Sequence, residues 1–146
     1  MNEAVEIGVK LLHPDAKLPV RGTEHASGLD LYACLPDGPV ELSQHPTVIR
    51  TGIATEVPAG LDVQIRPRSG LSKRGVLCTL GTLDADYRGE LLVLMYTLAP
   101  DIHYSVQHGD RIAQIVVSRL VDVSLVERGT LSETARGGGG HGSTGR

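Results

Sequence analysis

What most constrains this chain is a repeated alternation of apolar and polar residues in runs of strand length. Val5, Ile7, Val9 and Leu11 fall on one face, and Glu6, Gly8 and Lys10 on the other; that period belongs to a half-buried strand. Leu29, Leu31, Ala33 and Leu35 repeat the pattern and stop at Pro36-Asp37-Gly38-Pro39, a turn sequence. Leu61, Val63 and Ile65 alternate with Asp62, Gln64 and Arg66 after the turn at Pro58-Ala59-Gly60. Residues 91–97 are continuously apolar, as in a strand buried on both faces. Residues 112–117 and 121–126 complete the set. Such runs, about every 8–12 residues with Gly, Pro and Asp between them, predict an all-β sandwich, barrel or jelly roll. No stretch sustains a helical period; residues 69–74 leave room for a short helical turn.

The 146 residues suffice for one domain with a real core. With four tyrosines, no Phe and no Trp, that core must be aliphatic. A net charge of −3, spread along the chain, lacks the basic footprint of a nucleic-acid-binding protein but is silent on small anions. The first residues carry acids and no long apolar run, unlike a signal peptide, and no stretch has membrane-helix length. Cys34 and Cys78 make neither a disulfide framework nor a zinc site, and no histidine pair has metal-ligand spacing. The expectation is an intracellular, cytoplasmic protein with no membrane partner.

Four segments carry polar chemistry. Arg66-Pro67-Arg68-Ser69-Gly70-Leu71-Ser72 follows a strand and offers two arginines, hydroxyls and free N–H groups, which suit a phosphate; the plainer reading is a solvated basic turn. Residues 81–90, GTLDADYRGE, read as a charged hairpin in which a carboxylate can serve as base and a tyrosine can stack on a sugar. Asp30 occupies the polar phase of its strand, where most aspartates are simply exposed. Gln114 interrupts an apolar run, and a structural hydrogen bond to backbone is its plainest explanation. The end of the chain, from Ala135 to Arg146, cannot bury itself. It reads as an exposed tail, or as a phosphate cradle of serial glycine N–H groups with Arg136.

The order of these segments resembles the five motifs of the trimeric dUTPase family. Ala26-Ser27-Gly28-Leu29-Asp30-Leu31-Tyr32-Ala33 is similar to the first and Arg66-Pro67-Arg68-Ser69-Gly70-Leu71 to the second. Residues 81–90 resemble the third, Gly109-Asp110-Arg111-Ile112-Ala113-Gln114 the fourth, and residues 136–145 the fifth. Together they span residues 26–145 in family order.

The resemblance implies an all-β, jelly-roll-like barrel over residues 1–134, a flexible glycine-rich arm over 135–146, and a homotrimer in which the arm closes a neighbour's site. It implies a dUTP diphosphatase, a hydrolase releasing dUMP and pyrophosphate by water attack at the α-phosphorus. That activity keeps uracil out of DNA and supplies dUMP for thymidylate synthesis. By matching position, Asp84 is the catalytic base and also holds the sugar 3′-hydroxyl. Gly81 lies at the uracil and Tyr87 under the deoxyribose. Arg68, Ser69, Gly70 and Gln114 contact phosphates. Arg136, His141, Gly142, Ser143 and Thr144 belong to the closing arm. The implied cofactor is Mg2+, with Asp30 holding it through metal-bound water.

Two positions depart from the family pattern. His141 stands where the family carries a phenylalanine that stacks on uracil; imidazole also stacks but is smaller. Cys78 stands where many bacterial relatives have asparagine, and reads as a small packed residue. The nearest rival is a dCTP deaminase, which needs a different acid/base set and usually lacks the run at 84–89. A nucleotide-gated binding module without turnover would leave Asp84 unexplained. A sugar-binding or structural jelly roll would leave all five motifs unexplained.

Overall fold

The computed structural model describes residues 4–145. The chain forms strands β1 (Gly8–Leu11), β2 (Val20–Arg21), β3 (Gly28–Tyr32), β4 (Val40–Glu41), β5 (Thr47–Glu56) and β6 (Leu61–Arg66). One short helix, α1 (Ser69–Lys73), follows, and then β7 (Val76–Cys78), β8 (Gly81–Leu83), β9 (Glu90–Thr97), β10 (Ser105–Val106) and β11 (Arg111–Arg119). Every pairing is antiparallel. A four-stranded sheet, β1-β5-β9-β7, faces a five-stranded one, β2-β3-β11-β6-β8, with the ribbon β10-β4 beside them. This is the expected all-β jelly roll. Among the described residues no helix is long and apolar enough to cross a membrane.

Alternation does the sorting. Ile49, Ile53, Leu91, Val93 and Met95 from the four-stranded sheet meet Leu31, Val63, Ala113 and Ile115 from the other. Burying each large aliphatic side chain here stabilises the fold by about 1.5–3 kcal/mol. Among the described residues no aromatic is in the buried core, which Leu, Ile and Val carry with Ala, Cys and one Met.

The structure corrects four sequence expectations. Residues 91–97 are not buried on both faces: in β9, Leu91, Val93 and Met95 point inward while Leu92 and Leu94 are exposed. Residues 121–126 form no strand in this chain; β11 ends at Arg119, and Val121, Val123 and Leu125 are exposed. The 81–90 segment is not a hairpin within one sheet. Its first leg, β8, pairs with β6, and its second, β9, pairs with β5 and β7, so it is a corner joining the two sheets.

The fourth correction is an element that the alternation did not reveal. β5 is the longest strand, and Gly52, at φ 68°, breaks its phase. Arg50 pairs with Leu92 and Ala54 with Glu90, so four steps along β5 oppose two along β9. This bulge needs the left-handed backbone that glycine adopts without strain. Glycine is also the residue that fits, because a Cβ there would lie 2.9 Å from both Ala16 Cβ and Cys34 Sγ.

Candidate functional site

Cross-strand register assembles the first group of polar residues. Gln114 of β11 lies opposite Asp30 of β3 on one side and Arg66 of β6 on the other. Directly opposed residues share a face, so the three form a row on the outside of the five-stranded sheet. Asp30 is not simply exposed. Its carboxylate is mostly buried, with Oδ1 3.2 Å from Arg68 Nε and Oδ2 3.7 Å from Arg111 Nη1. Arg68 also donates from Nη1 to the Arg111 carbonyl at 3.1 Å. Gln114 donates from Nε2 to the Pro67 carbonyl at 3.0 Å, the backbone bond its position suggested.

Gln114 thereby holds the turn that leads into α1. Arg68 is the N-cap of that helix and supplies no side-chain cap, while Ser69 and Gly70 are exposed in the first turn. The short helix expected over 69–74 is therefore present, and its leading N–H groups have no side-chain acceptor. Gly28 completes the group from behind: a Cβ there would collide with the Gln114 side chain, 2.9 Å from its Cδ.

The second group is the corner at 81–90. A cleft of about 230 Å³ is lined by Ile65, Gly81, Asp84, Tyr87, Glu90 and Leu91, among others. Tyr87 N–H closes a turn onto the Asp84 carbonyl at 3.1 Å, and its hydroxyl donates to the Glu90 carbonyl at 2.9 Å. Tyr87 is 44% exposed, so part of its surface is open to solvent. The Asp84 carboxylate is exposed and has no hydrogen-bond or ion-pair partner among the described residues. A larger cavity, about 700 Å³, is lined by aliphatic side chains such as Val5, Ile7, Leu18 and Val117, and carries none of the sequence-predicted site residues. Chemistry and not size marks the smaller cleft as the candidate.

The third group is the tail. Arg136 Nε donates to the Gly139 carbonyl at 2.8 Å, Ser143 N–H to Gly140 and Gly145 N–H to Gly142. His141 is exposed with φ 50°. All hydrogen bonds of residues 136–145 among the described residues close within residues 134–145, so Arg136, His141, Gly142, Ser143 and Thr144 do not meet either of the other groups of their own chain. Nor does any hydrogen bond or ion pair join Asp84 to Asp30, Arg68 or Gln114.

Two residues had escaped notice as site components. Arg111 is the second cation on Asp30, and Glu90 receives Tyr87. Only the sheet register and the fold of the corner bring these pairs together. Both cysteines are buried. Burial is the main cause that raises the Cys34 thiol, and it pushes Cys78 up to about 11, consistent with packed, unreactive residues.

Comparison with known proteins identifies the family. The dUTPase family profile matches residues 14–145. The deoxyuridine 5'-triphosphate nucleotidohydrolase of Treponema pallidum is 48% identical over 141 residues, covering 92% of this chain and 94% of that protein. The protein of the same description from Wolinella succinogenes is 45% identical, covering 100% and 99%. Among solved structures, Staphylococcus bacteriophage 80alpha dUTPase with dUPNHPP superposes with a TM-score of 0.84 at 25% identity, over 98% of this chain and 100% of that one. A mutant dUTPase from phage phi11 of S. aureus, described with a structural Mg(II) ion, superposes at 0.77 and 22% identity over 86% and 98%, a likeness of fold.

Proposed function

This chain belongs to the dUTPase family, and from that we infer that it hydrolyses dUTP to dUMP and pyrophosphate as a dUTP diphosphatase. The observation that carries the assignment of its chemistry is the placement of Asp84 and Tyr87 on one small cleft at the corner between the sheets. We propose that uracil enters beside Gly81, where the close approach of Ile65 leaves little room. Tyr87 packs its exposed part under the deoxyribose, where a 2′-hydroxyl would clash.

Asp84 holds the 3′-hydroxyl and accepts a proton from water. The water oxygen bonds to the α-phosphorus, the bond to the bridging oxygen breaks, and pyrophosphate leaves. Arg68, Ser69, Gly70 and Gln114 hold the phosphates, so catalysis is chiefly positioning and charge neutralisation. Arg136, Ser143 and Thr144 contact the terminal phosphate, and His141 with Gly142 covers the base.

The residues present fit a metal held chiefly by the nucleotide. Asp30 offers hard oxygen donors, whereas among the described residues no group of three or more His, Cys, Asp or Glu forms a cage. Magnesium suits that donor set, and Asp30 would hold it through water. When bound, it supplies neutralisation of charge on the phosphate oxygens.

We further propose a homotrimer with shared sites, built from a barrel over residues 1–134 and an arm over 135–146. Two features support this. Asp84 makes no hydrogen bond or ion pair with the Arg68 group of its own chain among the described residues, and a strip of aliphatic side chains from Leu120 to Leu131 is exposed without a ladder partner among the described residues. The test is pyrophosphate and ammonia release from dUTP, dCTP, dTTP and UTP with magnesium. Pyrophosphate from dUTP alone, abolished by EDTA and by Asp84→Asn with nucleotide binding retained, is expected. Ammonia from dCTP, or full turnover by Asp84→Asn, would overturn the reading.

A further inference from the structure

Glu90 is the first residue of β9 and belongs to no predicted catalytic role, yet it is fixed at both ends. Its main-chain carbonyl accepts the Tyr87 hydroxyl at 2.9 Å. Its carboxylate reaches across to the bulge in β5, where Oε1 accepts the Gly52 N–H at 3.0 Å and Oε2 lies 3.0 Å from Arg50 Nε. The side chain is only 16% exposed, while that of Arg50 is 65% exposed. The Gly52 N–H falls inside the interrupted ladder between Arg50 and Ala54, so the carboxylate satisfies a donor that the neighbouring strand does not. Beside it, Thr51 Oγ1 donates to the Leu91 carbonyl at 2.6 Å. The bulge is thus tied to β9 at two consecutive residues.

Tyr87 has no other polar anchor for its ring among the described residues. Its hydroxyl rests on Glu90, and the space it occupies exists because residue 89 is glycine: a Cβ at Gly89 would collide with that hydroxyl and lie 2.6 Å from the ring carbon bearing it. The ring position is therefore set by where the Glu90 carbonyl stands. That carbonyl is set in turn by a partly buried contact of the same residue with a different strand.

We propose that Glu90 is a positioning residue for sugar selection: held to the Gly52 N–H and to Arg50, it places the carbonyl that seats Tyr87. This rests on the reading above that Tyr87 packs beneath the deoxyribose. Selection against a 2′-hydroxyl is a steric test, and such a test is as sharp as the wall is rigid. An exposed tyrosine on an untethered corner would yield to the extra oxygen. One anchored to the bulge of β5 does not.

The experiment is the ratio of kcat/KM for dUTP to that for UTP, measured with melting temperature in the full-length enzyme. Glu90→Ala is expected to lower the ratio about fivefold, the scale of one lost hydrogen bond. Glu90→Gln, which retains an acceptor for Gly52, is expected to recover most of it. In a Tyr87→Phe background, Glu90→Ala is expected to change the ratio no further, because the link it acts through is already cut.

A Glu90→Ala enzyme that melts lower but keeps the ratio would show a merely structural role and overturn the inference. Tyr87→Ala separates this from failure of the underlying reading: if that variant keeps the ratio, Tyr87 is not at the sugar and both fall. If it loses the ratio while Glu90→Ala does not, only the role of Glu90 falls. Should Glu90→Ala fail to fold, Arg50→Gln at the exposed end of the pair decides. A fall of about twofold supports the anchor, and no change refutes it.

Discussion

Arg68 Nε lies 3.2 Å from Asp30 Oδ1, and the same guanidinium donates to the Arg111 carbonyl. One planar fork therefore joins the turn before α1 to two strands, β3 and β11. Lysine offers a point charge and cannot satisfy both acceptors in that geometry. Arg68→Lys is expected to raise KM for dUTP at least about tenfold, the cost of roughly one charge-assisted hydrogen bond, with a smaller change in melting temperature. Steady-state kinetics with parallel thermal unfolding checks this; an unchanged KM would remove Arg68 from the phosphate site.

Gly28 makes room for Gln114, and Gln114 holds Pro67. Gly28→Ala is expected to push the amide away and lose that bond, destabilising the fold by about 1–2 kcal/mol and weakening phosphate binding. In Gln114→Ala the obstruction is gone. Adding Gly28→Ala to that variant is expected to cost little more, and a double-mutant cycle in denaturant measures the difference. Additive losses would show that Gly28 acts independently of Gln114.

Cys78 gives the stability a sign at alkaline pH. Burial raises its thiol from 9.0 to about 11, so between these values the unfolded chain has lost a proton that the folded chain retains. Stability from this group is intact below about pH 9 and is lost as pH rises through about 11, a decline of about 2–3 kcal/mol. Other groups titrate there too. The measurement is thus the difference between the unfolding curves of the natural protein and Cys78→Ala, which is expected to have the shallower decline. Parallel curves would mean that Cys78 is solvated.

Among the described residues, the hydrogen bonds of the tail reach no further into the chain than Thr134. Deleting the residues after Thr134 is expected to leave melting temperature and oligomeric mass unchanged while kcat/KM for dUTP falls at least about a hundredfold, as for a lost lid and its phosphate contacts. Light scattering and kinetics on the truncated chain check both halves. Loss of folding would make the tail structural. Within the tail, His141→Phe is expected to lower KM modestly, since the larger ring offers more stacking area.

Much of the fold was legible because alternation and turns are local. The strands around Leu31, Val63 and Ile115 show their inward residues directly. β5 was hidden since Gly52 shifts the phase midway, and a bulge has no signature in a period-two pattern. Leu92 and Leu94 misled because an exposed leucine and a buried one look alike in sequence. The corner at 81–90 reads as a hairpin in the sequence because turn chemistry is local but the choice of sheet is not. In the site, residue types and their order were readable, and the Gln114 bond to backbone followed from its place in an apolar run. The clasp of Arg111 on Asp30, and that of Glu90 on the β5 bulge, depend on register and on contacts across about 40 positions of chain or more, which no local pattern encodes.

The aliphatic strip past the end of β11 bears on how the protein is made. Leu120, Val121, Val123, Leu125, Val126 and Leu131 are each more than half exposed in the single chain. A newly made single chain carries this sticky strip uncovered. Under the trimer reading, yield in a cell is set by how fast three chains find one another relative to how fast the bare strip finds anything else. Soluble expression then depends on synthesis rate as much as on the stability of the barrel.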